Sequence, residues 1–252
     1  MELVIAFYQY CITPYGHIHS RNSAIIELAK KLGRTPNALA MKMCNFASFD
    51  PVHKQRNVKG LTNASKVDEQ IWNDFNNDWQ KLLQAYQIAI QELQFGPVSE
   101  QTAPTHTAGH QKKTETYKQV KIRIAQSFFR SSVLANYNSQ CAICRINNHK
   151  LLNAGHIIPW SDDESYRADP RNGLSLCVLH DRAFDRGMIT LDKDLQLVLS
   201  RELKKMHTER RNSVYQAAFI ELEGRRILLP EKFSPLPEAL EYHRDNIFEL
   251  RD

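Results

Sequence analysis

Acidic residues are missing from two long stretches of this 252-residue chain. Residues 116–161 hold no aspartate or glutamate yet carry Lys118, Lys121, Arg123, Arg130, Arg145 and Lys150. Residues 51–67 also lack acids and carry Lys54, Arg56, Lys59 and Lys66. A charge run is commonly only a solvated face, but two acid-free basic windows on a chain of net charge +5 fit a polyanionic partner. No apolar run approaches the roughly 18 residues needed to span a bilayer, and the opening MELVIAFYQYC has no basic region of a secretory signal. A soluble, cytoplasmic protein without a membrane partner is expected. Five cysteines are an odd number, two of them spaced Cys141-Ala-Ile-Cys144, which reads as reduced intracellular thiols. No internal repeat is found.

What is present divides the chain in two. At 42% hydrophobic content there is apolar material for two ordinary cores. Leu3, Val4, Phe7, Tyr8 and Cys11 recur at helical spacing until Pro14 and Gly16. Asn22 or Ser23 can cap a second helix that stops at Gly33. Thr35 and Pro36 then open a third, with Leu39, Met43 and Phe46 inward and Asn37, Ala40, Met41, Lys42 and Asn45 outward. Two short helices around a glycine turn, LAKKLGRTPNALAMKM, form a helix-turn-helix candidate that would place residues 35–42 in a major groove. Arg34, Thr35, Asn37 and Lys42 would then be DNA contacts, although helix-Gly-helix is common in any all-α domain. Residues 64–93 are strongly helical, with an aromatic stripe that reads as core and a break at Asn76-Asn77-Asp78. Residues 96–116 lose hydrophobicity and read as a linker. The expected domains are therefore 1–95, helical and DNA-binding, and 117–252.

The second domain opens with one or two helices, from Tyr117 to Tyr137. It should close with β-hairpins over residues 188–200 and 219–229 and a helix over 237–248. Between them lies the run LLNAGHIIPWSDDESYRADPRNGLSLCVLHDRAFDRG. His156 sits in an apolar strand over residues 154–158, where a neutral imidazole can take a proton near pH 7. Asn172 begins an Asn-Gly turn before a strand over 173–177. His180, Asp181 and Asp185 fall on one helix, the two carboxylates at i and i+4, so both can face one cation. Each feature has a plain alternative: a satisfied core histidine, a hairpin turn, or aspartates paired with Arg171, Arg182 or Arg186.

In that order and spacing these residues resemble the His-Asn-His (HNH, or ββα-metal) endonuclease family, over roughly residues 119–200. The runs GRTPNALAMKMCNFASFDP, KGLTNAS and QSFFRSSVLANYNSQCAICRI look like those of its restriction-endonuclease branch. The resemblance implies an α+β chain: an N-terminal all-α helix-turn-helix-like domain, then a ββα-metal nuclease domain with flanking helices and β-hairpins. It implies hydrolysis of phosphodiester bonds in double-stranded DNA, with His156 as base, Asn172 pinning the loop and orienting the imidazole through its amide hydrogen bonds, and Asp181 and Asp185 holding Mg²⁺ or Mn²⁺. Cys141 and Cys144 with Cys177 and His180 make a Cys3His set suited to a structural Zn²⁺. His149 is a rival ligand, and without zinc His180 would join the active site. Many HNH sites carry a metal-binding Asp or His just before the base, where this chain has Gly155. Arg145, Lys150, Arg171, Arg182 and Arg186 would meet phosphates.

A prokaryotic restriction enzyme, of the conventional or the modification-dependent kind, is the function so implied, and cutting both strands suggests a homodimer. The alternatives are a regulator that keeps the fold without catalysis, and a homing, phage-packaging or toxin nuclease.

Overall fold

The computed structural model describes residues 1–56, 65–95, 110–210 and 212–249. Backbone contacts divide the chain into two compact units, Met1–Phe128 and Phe129–Asp252. The expected linker falls mostly on residues 96–109, outside the described residues, while 110–116 are already helical.

The described part of the first unit is helical. It comprises α1 (Glu2–Ile12), α2 (Ser23–Lys31), α3 (Pro36–Ala47), α4 (Pro51–Gln55), α5 (Lys66–Phe75), α6 (Trp79–Phe95) and the start of α7 (His110–Asn136). Local chemistry sets the ends. The Asn22 side chain caps α2 and Thr35 caps α3, whose first residue is Pro36. Phe7 on α1 centres the core, its ring 5.0 Å from Phe46 and 5.7 Å from Trp72, both edge-on, so the aromatic stripe is buried packing.

The expected outward face of α3 needs correction. Ala40 and Asn45 are both buried, Asn45 because α5 packs there and inserts Asp68. That carboxylate, itself fully buried, accepts from Lys42 Nζ at 3.0 Å, Asn45 Nδ2 at 2.9 Å and Ser65 N at 3.0 Å. Burial opposes its charge, yet these hydrogen bonds outweigh it and hold Asp68 below the usual carboxylate range. Lys42 is therefore committed to a structural pair, and Arg34 makes a two-pronged ion pair with Glu2. Of the four residues expected to touch DNA, Thr35 and Asn37 remain exposed without an ion pair.

The second unit is α+β. The last part of α7 leads to two short antiparallel strands, β1 (Leu152–His156) and β2 (Gly173–Cys177), with α8 (Val178–Asp185) packed on both. A second antiparallel pair follows, β3 (Ile189–Leu191) and β4 (Leu197–Leu199), as expected for residues 188–200. Then come α9 (Arg201–Arg210), α10 (Ser213–Ala218) and α11 (Pro237–Asn246). The expected hairpin over 219–229 is corrected: Ile220–Leu222 form a 3-10 turn, and Arg226 bridges Gln196 instead of a strand of its own. The first strand also lies two residues earlier than the apolar pattern suggested. Phe129, Val133, Leu174, Leu176 and Phe184 share one core beneath it. Gly173 lets α7 lie directly on β2, since a Cβ there would meet Val133 Cγ2 at 2.3 Å.

Helix α8 ends in a Schellman motif, with Gly187 N donating to Phe184 O and Met188 N to Ala183 O, both at 2.9 Å. Gly187 has φ +66°, and a Cβ there would lie 2.1 Å from the Ile247 carbonyl. Gly187→Ala therefore combines a left-handed alanine with a backbone clash and should destabilise this unit by about 2 kcal/mol or more. The urea midpoint measures it, and an unchanged midpoint would refute this packing.

Candidate functional site

The hairpin β1–β2 carries two sites at its two ends. In its register Leu152 faces Cys177 and His156 faces Gly173. The cysteines gather at the first end and the histidine stands at the second.

At the cysteine end, α7 gives way to a tight knuckle closed by Cys141 N to Ile146 O at 2.8 Å and Arg145 N to Cys141 O at 3.0 Å. Arg145 takes φ +67° to complete it. Cys177 ends β2 and His180 lies in the first turn of α8. The donor atoms of Cys141, Cys144, Cys177 and His180 all fall within 4.8 Å of one another. Cys144 and Cys177 Sγ are 3.8 Å apart, and His180 Nδ1 is 3.6 Å from Cys141 Sγ and 3.2 Å from Cys177 Sγ. A tetrahedron with Zn–S bonds of about 2.3 Å has S–S edges of about 3.8 Å, so the set has the size of a zinc site. His180 Nε2 donates to the Ala218 carbonyl at 2.8 Å, which leaves the Nδ1 lone pair aimed at the sulfurs. His149, the rival ligand, lies exposed outside the cluster.

Crowding these groups shifts their protons. Hydrogen bonds with Cys141 and then Cys144 hold the Cys177 thiol far below its ordinary value, while those with Cys141 and then Cys177 push Cys144 far up. Burial works against a charged His180, but its bonds to Cys141 and Cys177 prevail and lift it to about 10. Such a set shares protons that a divalent cation would displace.

At the other end, His156 is half-buried. Its ring stacks on Phe129 at 3.7 Å and meets Trp160 edge-on at 5.6 Å. Nε2 lies 3.2 Å from the Arg167 carbonyl, which can only accept, so Nε2 carries the proton and Nδ1 keeps the basic lone pair. Burial lowers the His156 pKa, and the Arg167 bond only partly offsets that. Asn172, fully buried, clamps the intervening loop: its Oδ1 accepts from Ile158 N at 2.8 Å and its Nδ2 donates to Ile158 O at 3.0 Å. It acts on the segment that follows His156 and not on the imidazole.

Asp181 and Asp185 share α8, Asp181 half-buried and Asp185 exposed. Asp181 Oδ2 accepts from Asn153 Nδ2 at 2.7 Å, and a Cβ at position 155 would lie 2.6 Å from Asp181 Oδ1. The carboxylate therefore occupies the space that a side chain on the strand would need. Burial and then the charge of Cys177 raise its pKa against the opposing pull of Asn153, Arg130 and Arg182. His156, Asp181 and Asp185 do not converge: among the described residues, Cys141, Cys144, Cys177 and His180 are the one cluster of three or more such ligands. Of the expected phosphate contacts, Arg171 is bound to buried Asp169, while Arg145, Lys150, Arg182 and Arg186 are exposed.

Sequence reasoning missed the supports. Phe129 beneath His156, the Arg167 carbonyl and Asn153 beside Asp181 leave no motif, although Asn153 shares a strand with His156. Nothing marks a backbone carbonyl in advance.

Residues 141–192 match the family model described as HNH endonuclease. That span runs from Cys141 through the hairpin and α8 to just past β3, and it contains His156, Asn172, Asp181, Asp185 and the four residues of the cysteine cluster. No curated protein matches the chain. The HNH segment is thus a small α+β element that points to nuclease chemistry, and HNH domains depend on a metal. No helix among the described residues is long and apolar enough to cross a membrane.

Proposed function

We propose that this chain is a metal-dependent endonuclease that hydrolyses double-stranded DNA in prokaryotic restriction. The observation that carries the reading is the half-buried His156, fixed through Nε2 on Arg167 O within a segment matching the HNH family. Nδ1 then takes the proton of a water; the hydroxide attacks phosphorus, the P–O bond breaks, and the leaving oxygen is protonated from solvent. Asn172 keeps the loop after His156 closed, so the imidazole spends little entropy in reaching that geometry.

The donor sets fit two kinds of ion. Three thiols and an imidazole suit Zn²⁺ as a structural clip. The carboxylates of Asp181 and Asp185 suit Mg²⁺ or Mn²⁺, whose remaining positions water and phosphate would fill. Such an ion supplies charge neutralisation on the phosphate and the leaving oxygen. Arg145, Lys150, Arg182 and Arg186 extend the positive surface toward the DNA backbone. The helical first unit would select the duplex, and a homodimer would cut both strands.

Incubating the purified chain with supercoiled plasmid in Mg²⁺ or Mn²⁺, against the same mixture in EDTA, tests the reading. Nicked and linear DNA should form only with the ion, and intact plasmid under every condition would sink it. One observation favours a second reading, a DNA-binding regulator with weakened catalysis: among the described residues, Asp181 and Asp185 belong to no cluster of three or more ligand-type side chains. Duplex binding without any cutting would support it.

A further inference from the structure

Next to the cysteine knuckle lies a cavity of about 360 Å³ that His156 does not use. Buried Leu197 and Ile227 help line its interior, Cys144 forms part of its wall, and the exposed Arg145, Arg225 and Arg226 supply its charge. No acid lines it. Among the described residues none of these three arginines has an ion-pair partner, and the nearby Glu223 is engaged by Lys204. Three uncompensated guanidinium groups around one opening repel each other unless an anion joins them.

The cavity is held from three sides. Leu228 N donates to Ala142 O at 2.7 Å, tying the arginine segment to the knuckle, and Leu197 N to Arg225 O at 3.0 Å ties it to β4. Gly224 N to Leu197 O at 2.8 Å and Ile227 N to Leu195 O at 3.0 Å complete the frame. Arg145 is fixed by the same knuckle that presents Cys141 and Cys144.

We propose that this cavity is a second phosphate site, which grips a DNA backbone phosphate away from the one being cut. The inference rests on the reading that the chain acts on DNA. Guanidinium groups bind phosphate oxygens through paired N–H donors, and three of them around one opening with no acid among them make a site for an anion. Cys144 in its wall lies 3.8 Å from Cys177 at one end of the hairpin, and His156 stands at the other, so the phosphate held here is not the one being cut.

The test uses the full chain with His156→Ala, which prevents cutting, and adds Arg225→Ala with Arg226→Ala. Binding to a duplex of about 30 base pairs is measured across salt concentrations, together with interference by ethylated phosphates. The expected result is a slope of log K on log salt that is shallower by about 1, the share of one phosphate, and an affinity about tenfold weaker. A discrete interference position away from the cut should also disappear. Arg225→Lys with Arg226→Lys should restore the slope. Should the double alanine variant melt early, Arg225→Gln and Arg226→Gln singly carry the same test.

An unchanged slope and interference pattern overturns the site while leaving the nuclease reading intact. A shallower slope with no discrete interference position also overturns it, because that is loss of general charge. If the His156→Ala parent fails to bind duplex DNA at all, the DNA reading falls and the second site with it.

Discussion

His156→Ala should reduce plasmid cleavage by at least two to four orders of magnitude, the usual worth of a positioned general base, while duplex affinity stays within a few-fold. The imidazole is half-buried, stacked on Phe129 and tied at Nε2, so its removal deletes the proton acceptor and leaves the backbone clamp of Asn172 in place. The pH profile carries the same claim. A base works when neutral, and burial lowers the His156 pKa, so the acid limb of kcat/KM should fall below the ordinary histidine value of about 6.5. The limb should vanish in His156→Ala. A variant that cuts like the parent, or an acid limb above pH 7 in the parent, would remove His156 from this role.

Cys177→Ala should strip zinc and unfold the second unit. Cys177 does three things at once: it ends β2, stands at the N-cap of α8, and lies within 3.8 Å of Cys144 and 3.2 Å of His180. Structural zinc contributes roughly 10–16 kcal/mol in small zinc domains, which exceeds the roughly 5–15 kcal/mol that holds a typical domain together. The expected signs are close to one zinc per chain in the parent, none in the variant, and loss of the cooperative melt of this unit at ambient temperature. Chelation of the parent should abolish that transition in the same way. Less than about half an equivalent of zinc in the parent, or a variant as stable as the parent, would show the quartet to be buried thiols.

Much of the helical frame could be read from the chain because the signals are local. Asn22 and Thr35 cap within three residues of themselves, and the break at Asn76-Asn77-Asp78 interrupts its own pattern. The cysteine spacing likewise brought forward the four side chains that cluster. What escaped depended on partners far along the chain. Asn45 looked solvent-facing until Asp68, 23 residues later, came to rest on it. Residues 219–229 resembled a hairpin around Glu223-Gly224, but Arg226 finds its bridge on Gln196 and Leu228 on Ala142. His156 was visible as a residue type, whereas the carbonyl of Arg167 and the ring of Phe129 that define its chemistry were not.

Gly155 and Asp181 fill one volume between them. The strand gives up a side chain and the helix delivers a carboxylate into the vacated space. An acid placed at 155 meets Asp181 Oδ1, so that carboxylate must swing aside to admit it, and a shorter residue at 181 leaves a hollow beside the glycine. The two positions are therefore coupled, and an engineer who adds a strand-borne acid should vary 181 along with it.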